Sequence, residues 1–572
     1  MSAVSASAGE LLAVGNAALG AGHWAEARSA FESCLSDGAT PEASFGLAVA
    51  LWWLGENHGS VVRCSEAYSL FRQSGDTESA VQCAVWLGIT YKANFANFAA
   101  ANGWIGRADR LLESIASGPL HGWAWVARAY RMPDLKAAED ITARALEVGR
   151  DAGDVDLELV ALAQLGLIRV GRGETEAGFA LIDEAVAAAL AGERTSLDTV
   201  VYACCDMLNA CELVSDLERA VQWCKVAADF VDSYGCPFLY AECRIYYGSV
   251  LAAKGRWSDA ERELGLGLRI TEGACPGLYG RALTRLAALR IRQGRLEEAE
   301  QLMSTPEQGV DVEAEATVLL AALQLARGDA EAAGRTLKQR LHQLEHHNSH
   351  LIAALDLLIE AYVAVGDANA AEATADRLTR VVVSADSDQV DALTASARGR
   401  VAFAQGDSAT AVVHLEAALK RWSRLECPFE VARARFDLSR ALVDAHPELA
   451  LDHARSALAS FESLGANLDA DRVAAFLRSL GHSTRAGRKG VGTLTARELE
   501  VLRLLGVGLS NPEIAARLYV SRKTAAHHVS SVLTKLSLRN RAEAAAYAVR
   551  VLGPPEPPMP GQPAGRRAWD GK

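Results

Sequence analysis

Along most of the chain, apolar residues recur three and four positions apart in helix-length stretches, and these stretches come in pairs around a short polar turn. That spacing lays one apolar stripe along a helix, so each pair predicts a helical hairpin. Five segments show the unit plainly: LGLIRVGRGETEAGFALIDEA (165–185), YGSVLAAKGRWSDAERELGLGL (247–268), LAALRIRQGRLEEAEQLM (286–303), LLIEAYVAVGDANAAEATADRL (357–378) and GRVAFAQGDSATAVVHLEAAL (399–419). In each, the first helix carries a small residue, a glycine turn follows, and the second helix combines alanine with a bulky apolar residue. Aligned on the small position, Gly15, Gly88, Gly166, Gly248, Ala287, Ala321, Ile359 and Gly399 lie about 40 residues, or twice that, apart.

A hairpin cannot bury its own apolar face and must stack on the next, so a period near 40 predicts a solenoid over 8–482. Strand-like alternation is absent, which makes the expected fold class all-α. The eight prolines before residue 484 fall at expected helix ends or gaps.

The pattern changes in the last sixty or so residues, where four short helices follow one another, each opened by its own cap. Thr495 with Glu498, Ser510 with Glu513 and Asn540 with Glu543 have the capping-box spacing, and Ser521 caps the helix between the last two. Leu499, Val501, Leu502 and Leu505, then Ile514, Ala515 and Leu518, then Val529, Val532, Leu533 and Leu536 recur at helical spacing and should close into one small core. Only Tyr519 and Val520 stand between the second helix and the Ser521 cap. That is the arrangement of a helix-turn-helix, in which the second helix of the pair lies in the DNA major groove.

The segment LTARELEVLRLLGVGLSNPEIAARLYVSRKTAAHHVSSVLTKLSLRNRAEAAAYAV resembles the LuxR-type (GerE-like) helix-turn-helix throughout its length. The resemblance runs through Glu498, Gly508, Ser510-Asn511, Glu513-Ile514-Ala515, Ser521, Thr524, His528, Lys535-Leu536 and Arg541. Ala525 departs from the valine usual in that family, which should loosen packing under the recognition helix. The repeats are similar to tetratricopeptide repeats, with Leu87-Gly88 and Tyr91 nearest to that consensus, and look like the repeat region of MalT-like regulators. The expected architecture is therefore a TPR-like α-solenoid of helical hairpins, a basic linker over 483–492, a four-helix LuxR-type head over 493–553 and a proline-rich disordered tail over 554–572.

The resemblance implies that Ala526, His527 and Ser530 face base edges. None of them is Arg or Asn, so direct readout should be modest, with Ala526 against a thymine methyl and His527 on a purine acceptor. Asn511, Ser521, Arg522, Lys523, Thr524 and Lys535 are placed for phosphates, and His528 and Arg541 for orienting roles at the backbone edge. Ser531 is left towards solvent or DNA. The fourth helix, RAEAAAYAVRVL, exposes small apolar residues and by resemblance forms a dimer contact.

Charge supports a nucleic-acid module. The chain carries a net charge of −13, yet Arg485 to Arg550 hold twelve Lys/Arg against four Asp/Glu, a surplus of +8, and the first 484 residues sum to −22. A basic head on an acidic body is the expected asymmetry of a DNA-binding protein. The implied partners are double-stranded operator DNA, a second copy of the chain on that DNA, RNA polymerase, and an unidentified protein or small-molecule effector on the solenoid. A second reading stays open: a repeat scaffold acting through protein contacts, with an inactive or protein-binding head.

Other features suggest chemistry less strongly. Eleven cysteines include no C-x-x-C, and the group Cys204, Cys205, Cys211, Cys224, Cys236 and Cys243 reads as small, buried, reduced positions. His342, His346 and His350 have a spacing that can share a helix face, but no acidic or cysteine set completes a metal site, and Asn348-Ser349 should break the helix. Seven tryptophans, Trp24, Trp52, Trp53, Trp86, Trp104, Trp123 and Trp125, lie early; core packing is the leading explanation, with an aromatic concave groove as the alternative. No phosphate loop, G-x-S-x-G elbow or H-E-x-x-H helix occurs, and a receiver domain would need strands. The expectation is a non-enzyme without cofactors. With no signal peptide and no long apolar run, it should be soluble and cytoplasmic.

Overall fold

The small residue that marks each repeat sits where the two helices of a hairpin press together. A Cβ added at Gly166 would lie 2.5 Å from the Gly178 carbonyl oxygen and 2.5 Å from Ile182, closer than packed atoms approach. Gly15 stands in the same relation to Phe31, Gly88 to Ile105, Gly248 to Leu264 and Gly399 to Leu415. The partner is always sixteen or seventeen residues further on, so the glycine fixes the register of its hairpin.

The structure, a computed structural model, describes residues 7–552 except 37, 39, 133, 215, 305–309, 345–347, 383–387, 483–493, 495, 519 and 537. The described residues form 29 helices, α1 (Ala8–Ala21) to α29 (Arg541–Leu552), and no strand. Two compact units divide the chain, Met1–Ala470 and Asp471–Lys572. The basic stretch 483–492 and the proline-rich tail 554–572 lie outside the described residues.

In the first unit, α1 to α24 (Pro447–Leu464) pair into consecutive antiparallel hairpins, and from α5 (Thr77–Ala93) onward the first helix of each hairpin touches the first helix of the next. This is the stacked solenoid that the period predicts. In most of the hairpin turns a glycine permits a tight reversal: Gly406 has φ 82°, a left-handed conformation that other residues adopt at a cost. Asp407 then caps the next helix, accepting from the Thr410 amide at 3.0 Å. Pro41, Pro119, Pro237, Pro276, Pro428 and Pro447 all open helices at the first turn, where the missing N–H costs nothing. Pro133 and Pro306 lie outside the described residues.

The solenoid also curls until distant hairpins meet. The Trp24 indole donates to the Tyr234 carbonyl at 2.5 Å, the Trp53 indole to Asp198 at 2.8 Å, and Asn57 to the Ala274 carbonyl at 3.0 Å. Further along, Lys254 pairs with Glu426 at 3.0 Å. These contacts account for several of the early tryptophans. Trp24 and Trp53 stack at 4.2 Å between ring centres and are buried in one core with residues of the hairpins between 126 and 250. Trp52, Trp86, Trp104, Trp123 and Trp125 are half-buried.

Nine of the eleven cysteines are buried and two, Cys205 and Cys224, half-buried; all are free thiols. Burial pushes the Cys204 thiol up to about 12. His342 falls on the helix Ala330–Leu344 and His350 on the next, Asn348–Ala364, so the two do not share a helix; His346 and His347 lie outside the described residues. Among the described residues no group of three or more His, Cys, Asp or Glu is arranged to hold a metal, and no helix is long and apolar enough to cross a membrane.

Candidate nucleic-acid interface

The last four helices are α26 (Ala496–Gly506), α27 (Asn511–Leu518), α28 (Arg522–Lys535) and α29. Their starts follow the caps, with differences of detail. Ser510 donates from its amide and hydroxyl to Glu513 at 2.7 and 2.6 Å, which holds the Glu513 carboxyl below its ordinary range. The Glu543 amide donates to Asn540 at 2.9 Å, while the Glu543 carboxylate accepts from the Arg539 amide at 2.8 Å, one residue before the position a capping box specifies. Ser521 caps α28 through the Thr524 amide at 3.0 Å. Thr495, the expected partner of Glu498, lies outside the described residues.

The core contains the expected Val501, Leu502, Leu505, Ile514, Ala515, Leu518, Val529, Val532 and Leu536, with Leu499 and Leu533 packed at its edge. It also contains residues that the periodicity of the first three helices leaves out. Ala544, Tyr547 and Ala548 of α29 are buried, and a Cβ on Gly506 would lie 2.9 Å from the Ala548 Cβ. The fourth helix is thus partly consumed inside the head. Among the side chains described up to Val549, its exposed apolar stripe is Ala542, Ala546 and Val549. Ala525 is fully buried, so a short side chain occupies the core position under the recognition helix.

Between α27 and α28 the Val520 amide bonds the Ala515 carbonyl at 3.0 Å, closing the short turn. Arg497 of α26 donates to the Leu518 carbonyl at the end of α27 and pairs with Glu500 at 2.7 Å, which ties the first helix to the second.

On α28 the buried row Ala525, Val529, Val532 and Leu536 turns inward, and Lys523, His527, Ser530 and Thr534 form an exposed row on the other side. His527 and Ser530 fall in that row as expected, while Ala526 is half-buried at its margin. Thr534, absent from the expected set, shares the row; the 4-3-4 spacing from Lys523 is the signal that finds it. Ser521, Arg522, Lys523 and Thr524 are exposed together at the start of the helix. His528 is half-buried, with its ring 6.4 Å from that of His527.

Three residues hold internal partners. Lys535 is 2.7 Å from the buried Glu498 carboxylate, and Asn511 accepts from Arg541 at 2.9 Å. Ser531, expected towards solvent or DNA, instead donates to Glu498 at 2.6 Å.

Three short helices around a tight turn, with a polar and basic edge opposite the buried row and a fourth helix packed behind, define a helix-turn-helix head. Residues 492–548 match the GerE family, described as bacterial regulatory proteins, luxR family, and this segment is a LuxR-type DNA-binding domain. It is similar to the transcriptional regulatory protein LnrK of Bacillus subtilis (strain 168), 53% identical over 57 residues, which is 10% of this chain and 26% of that protein. It is also similar to LiaR of the same organism, 43% identical over 58 residues, 10% of this chain and 28% of that one. The chain therefore spans little more than a quarter of the length of these relatives. Among solved structures, a chain of the APC/C hetero-tetramer Cut9-Hcn1 matches over 95% of this chain and 96% of its own, at 14% identity and a TM-score of 0.40. That score is below 0.5, and the hairpin solenoid rests on the helix pairing alone.

Proposed function

We propose that the protein is a transcriptional regulator whose LuxR-type head binds double-stranded DNA in the cytoplasm and whose helical-repeat body carries the input. The observation that supports this most directly is the exposed edge of α28. Ser521, Arg522, Lys523 and Thr524 sit at its start, and Arg522 and Lys523 have no ion-pair partner among the described residues. Two unpaired cations at a helix start, beside the mutually bonded Ser521 and Thr524 hydroxyls, are suited to phosphate. His527 and Ser530 follow on the groove side with Ala526 at the margin, giving a modest base code. Asn511 would reach a phosphate by turning its amide while still accepting from Arg541.

The stripe Ala542, Ala546 and Val549 is the surface through which two heads pair, placing two recognition helices about one DNA turn apart. The solenoid, with net charge −22 over the first 484 residues, is repelled by DNA and is the part left to meet an effector or protein partner. RNA polymerase is a further partner of the DNA-bound form. No step in this reading requires catalysis.

A shift assay on the full chain with Lys523→Ala and His527→Ala tests the groove face. Weakened binding by both variants supports the assignment, and unchanged binding by both refutes it. The scaffold reading predicts no DNA binding at any salt concentration.

A further inference from the structure

Glu498 is only 5% exposed, yet its carboxylate does not fill an apolar gap. Its two oxygens reach two groups on α28 that lie one helical turn apart. Oε1 accepts from the Ser531 hydroxyl at 2.6 Å, and Oε2 accepts from the Lys535 ammonium at 2.7 Å. Taking a carboxylate out of water is costly unless well-placed partners repay it, so an ion pair in such a place is a poor device for stability alone. It is a good device for direction, because hydrogen bonds depend on angle while apolar packing hardly does.

Direction is what α28 otherwise lacks. The core holds it by Ala525, Val529, Val532 and Leu536, with Leu533 at the edge on the opposite flank, and the first of these contributes only a methyl group. At about 100° per residue, Ser531 and Lys535 lie on one flank of the helix, between the buried row and the exposed row of Lys523, His527, Ser530 and Thr534. A bond on the flank resists rolling of the helix about its own axis, and a roll of one residue would replace His527 with a neighbour in the groove.

We propose that Glu498 is a positioning residue for DNA recognition, acting through Ser531 and Lys535 to set the roll of the recognition helix, and that Lys535 serves this clamp rather than a phosphate. The inference rests on the reading of the His527 face as the DNA-facing one. It differs from that reading in what it predicts for salt. A lysine on a phosphate releases a counterion when it binds, contributing about 0.9 to the slope of log affinity against log salt. A lysine that only orients the helix contributes nothing to that slope but affects the preference among sequences.

The test uses the full chain and two duplexes, one selected by the wild type from a random-sequence pool and one with the same bases scrambled. Glu498→Gln and Lys535→Met should each cut the preference for the selected duplex about tenfold and leave the salt slope unchanged. The double variant should be no worse than either single one, and Lys535→Arg should restore the preference. Lys523→Ala, in contrast, should weaken both duplexes alike and lower the slope by about 0.9. Ser531→Ala removes one bond without leaving an unpaired charge, so it should show a smaller loss of preference even where Glu498→Gln unfolds the head.

A Lys535→Met protein that loses about 0.9 of slope and weakens both duplexes alike would place Lys535 on a phosphate and overturn the proposal. Intact preference in both Glu498→Gln and Ser531→Ala would also overturn it. If the wild type selects no sequence, the base-facing reading and the clamp's role in recognition fall together. The salt slope of Lys535→Met on mixed-sequence DNA then still decides whether that lysine meets a phosphate.

Discussion

Arg541, the first residue of α29, donates from its guanidinium to the side-chain oxygen of Asn511, the first residue of α27, at 2.9 Å. The bond joins the helix that carries the proposed pairing stripe to the start of the helix that precedes the recognition helix. A hydrogen bond to a charged group contributes about 1.5–3 kcal/mol when its loss leaves no substitute. Arg541→Met should therefore speed amide exchange along α29 by roughly tenfold or more. Unchanged exchange would mean that the Ala544, Tyr547 and Ala548 packing alone holds the helix.

The hairpin register gives a contrast between two glycines. Gly166 faces the Gly178 carbonyl at 2.5 Å from an added Cβ, whereas at Gly334 the nearest neighbour is the Ala361 Cβ at 4.0 Å. Gly166→Ala should cost on the order of 1–3 kcal/mol by overpacking. Gly334→Ala should gain about 0.5–1 kcal/mol by removing chain entropy within a helix. Denaturant midpoints of the two variants moving in the same direction would contradict the register.

Two carboxyls held inside the body, Asp206 buried and Asp198 half-buried, should make it respond to pH. Burial pushes Asp206, which accepts from the Tyr130 hydroxyl at 2.8 Å, up to about 7. Burial likewise pushes Asp198, which accepts from the Trp53 indole, up to about 6. Both groups keep their protons longer in the folded chain than in the unfolded one. The unfolded state thus binds fewer protons between the ordinary carboxyl range near 4 and about 7, and stability falls as pH rises through that window. Asp206→Asn should flatten this fall. Thermal midpoints compared at pH 5 and pH 8 would show it, and a variant that tracks the wild type at both would refute the assignment.

The exposed stripe on α29 predicts cooperative binding. Ala546→Glu places a charge in the middle of Ala542 and Val549 without touching the buried Ala544, Tyr547 or Ala548. It should leave binding to a single half-site within about twofold and reduce cooperativity on two half-sites at least about tenfold, since like charges would meet across a two-fold contact. Sedimentation of the protein–DNA complex distinguishes one head from two. Equal occupancy of paired sites by variant and wild type would move the contact elsewhere.

Much of this is legible in the sequence, because the signals are local. The glycine that admits a bulky partner sixteen or seventeen residues later recurs in the chain, and each of the five glycines marking the first helix sits at a hairpin contact. Ser521 and Ser510 are readable as caps because a cap and its partner lie three residues apart. What escapes the sequence is contact without local spacing. Nothing near Trp53 announces Asp198, 145 residues away, and nothing near Glu498 announces Ser531 and Lys535. The capping-box spacing suggests a nearer partner for that carboxylate, and a lysine next to a recognition helix is easily read as a phosphate ligand. Tyr547 escapes for another reason: an alanine-rich helix shows little contrast between its faces, so the buried one does not stand out.

The central claim is that the head binds DNA through the edge that Arg522, Lys523 and His527 expose. Titration of the whole 572-residue chain against a mixed-sequence duplex across a range of salt concentrations tests it most directly. Binding at low salt should weaken steadily as salt rises, with a slope that drops by about 0.9 in Lys523→Ala. Absence of binding at low salt, or binding whose strength does not change with salt, would contradict it.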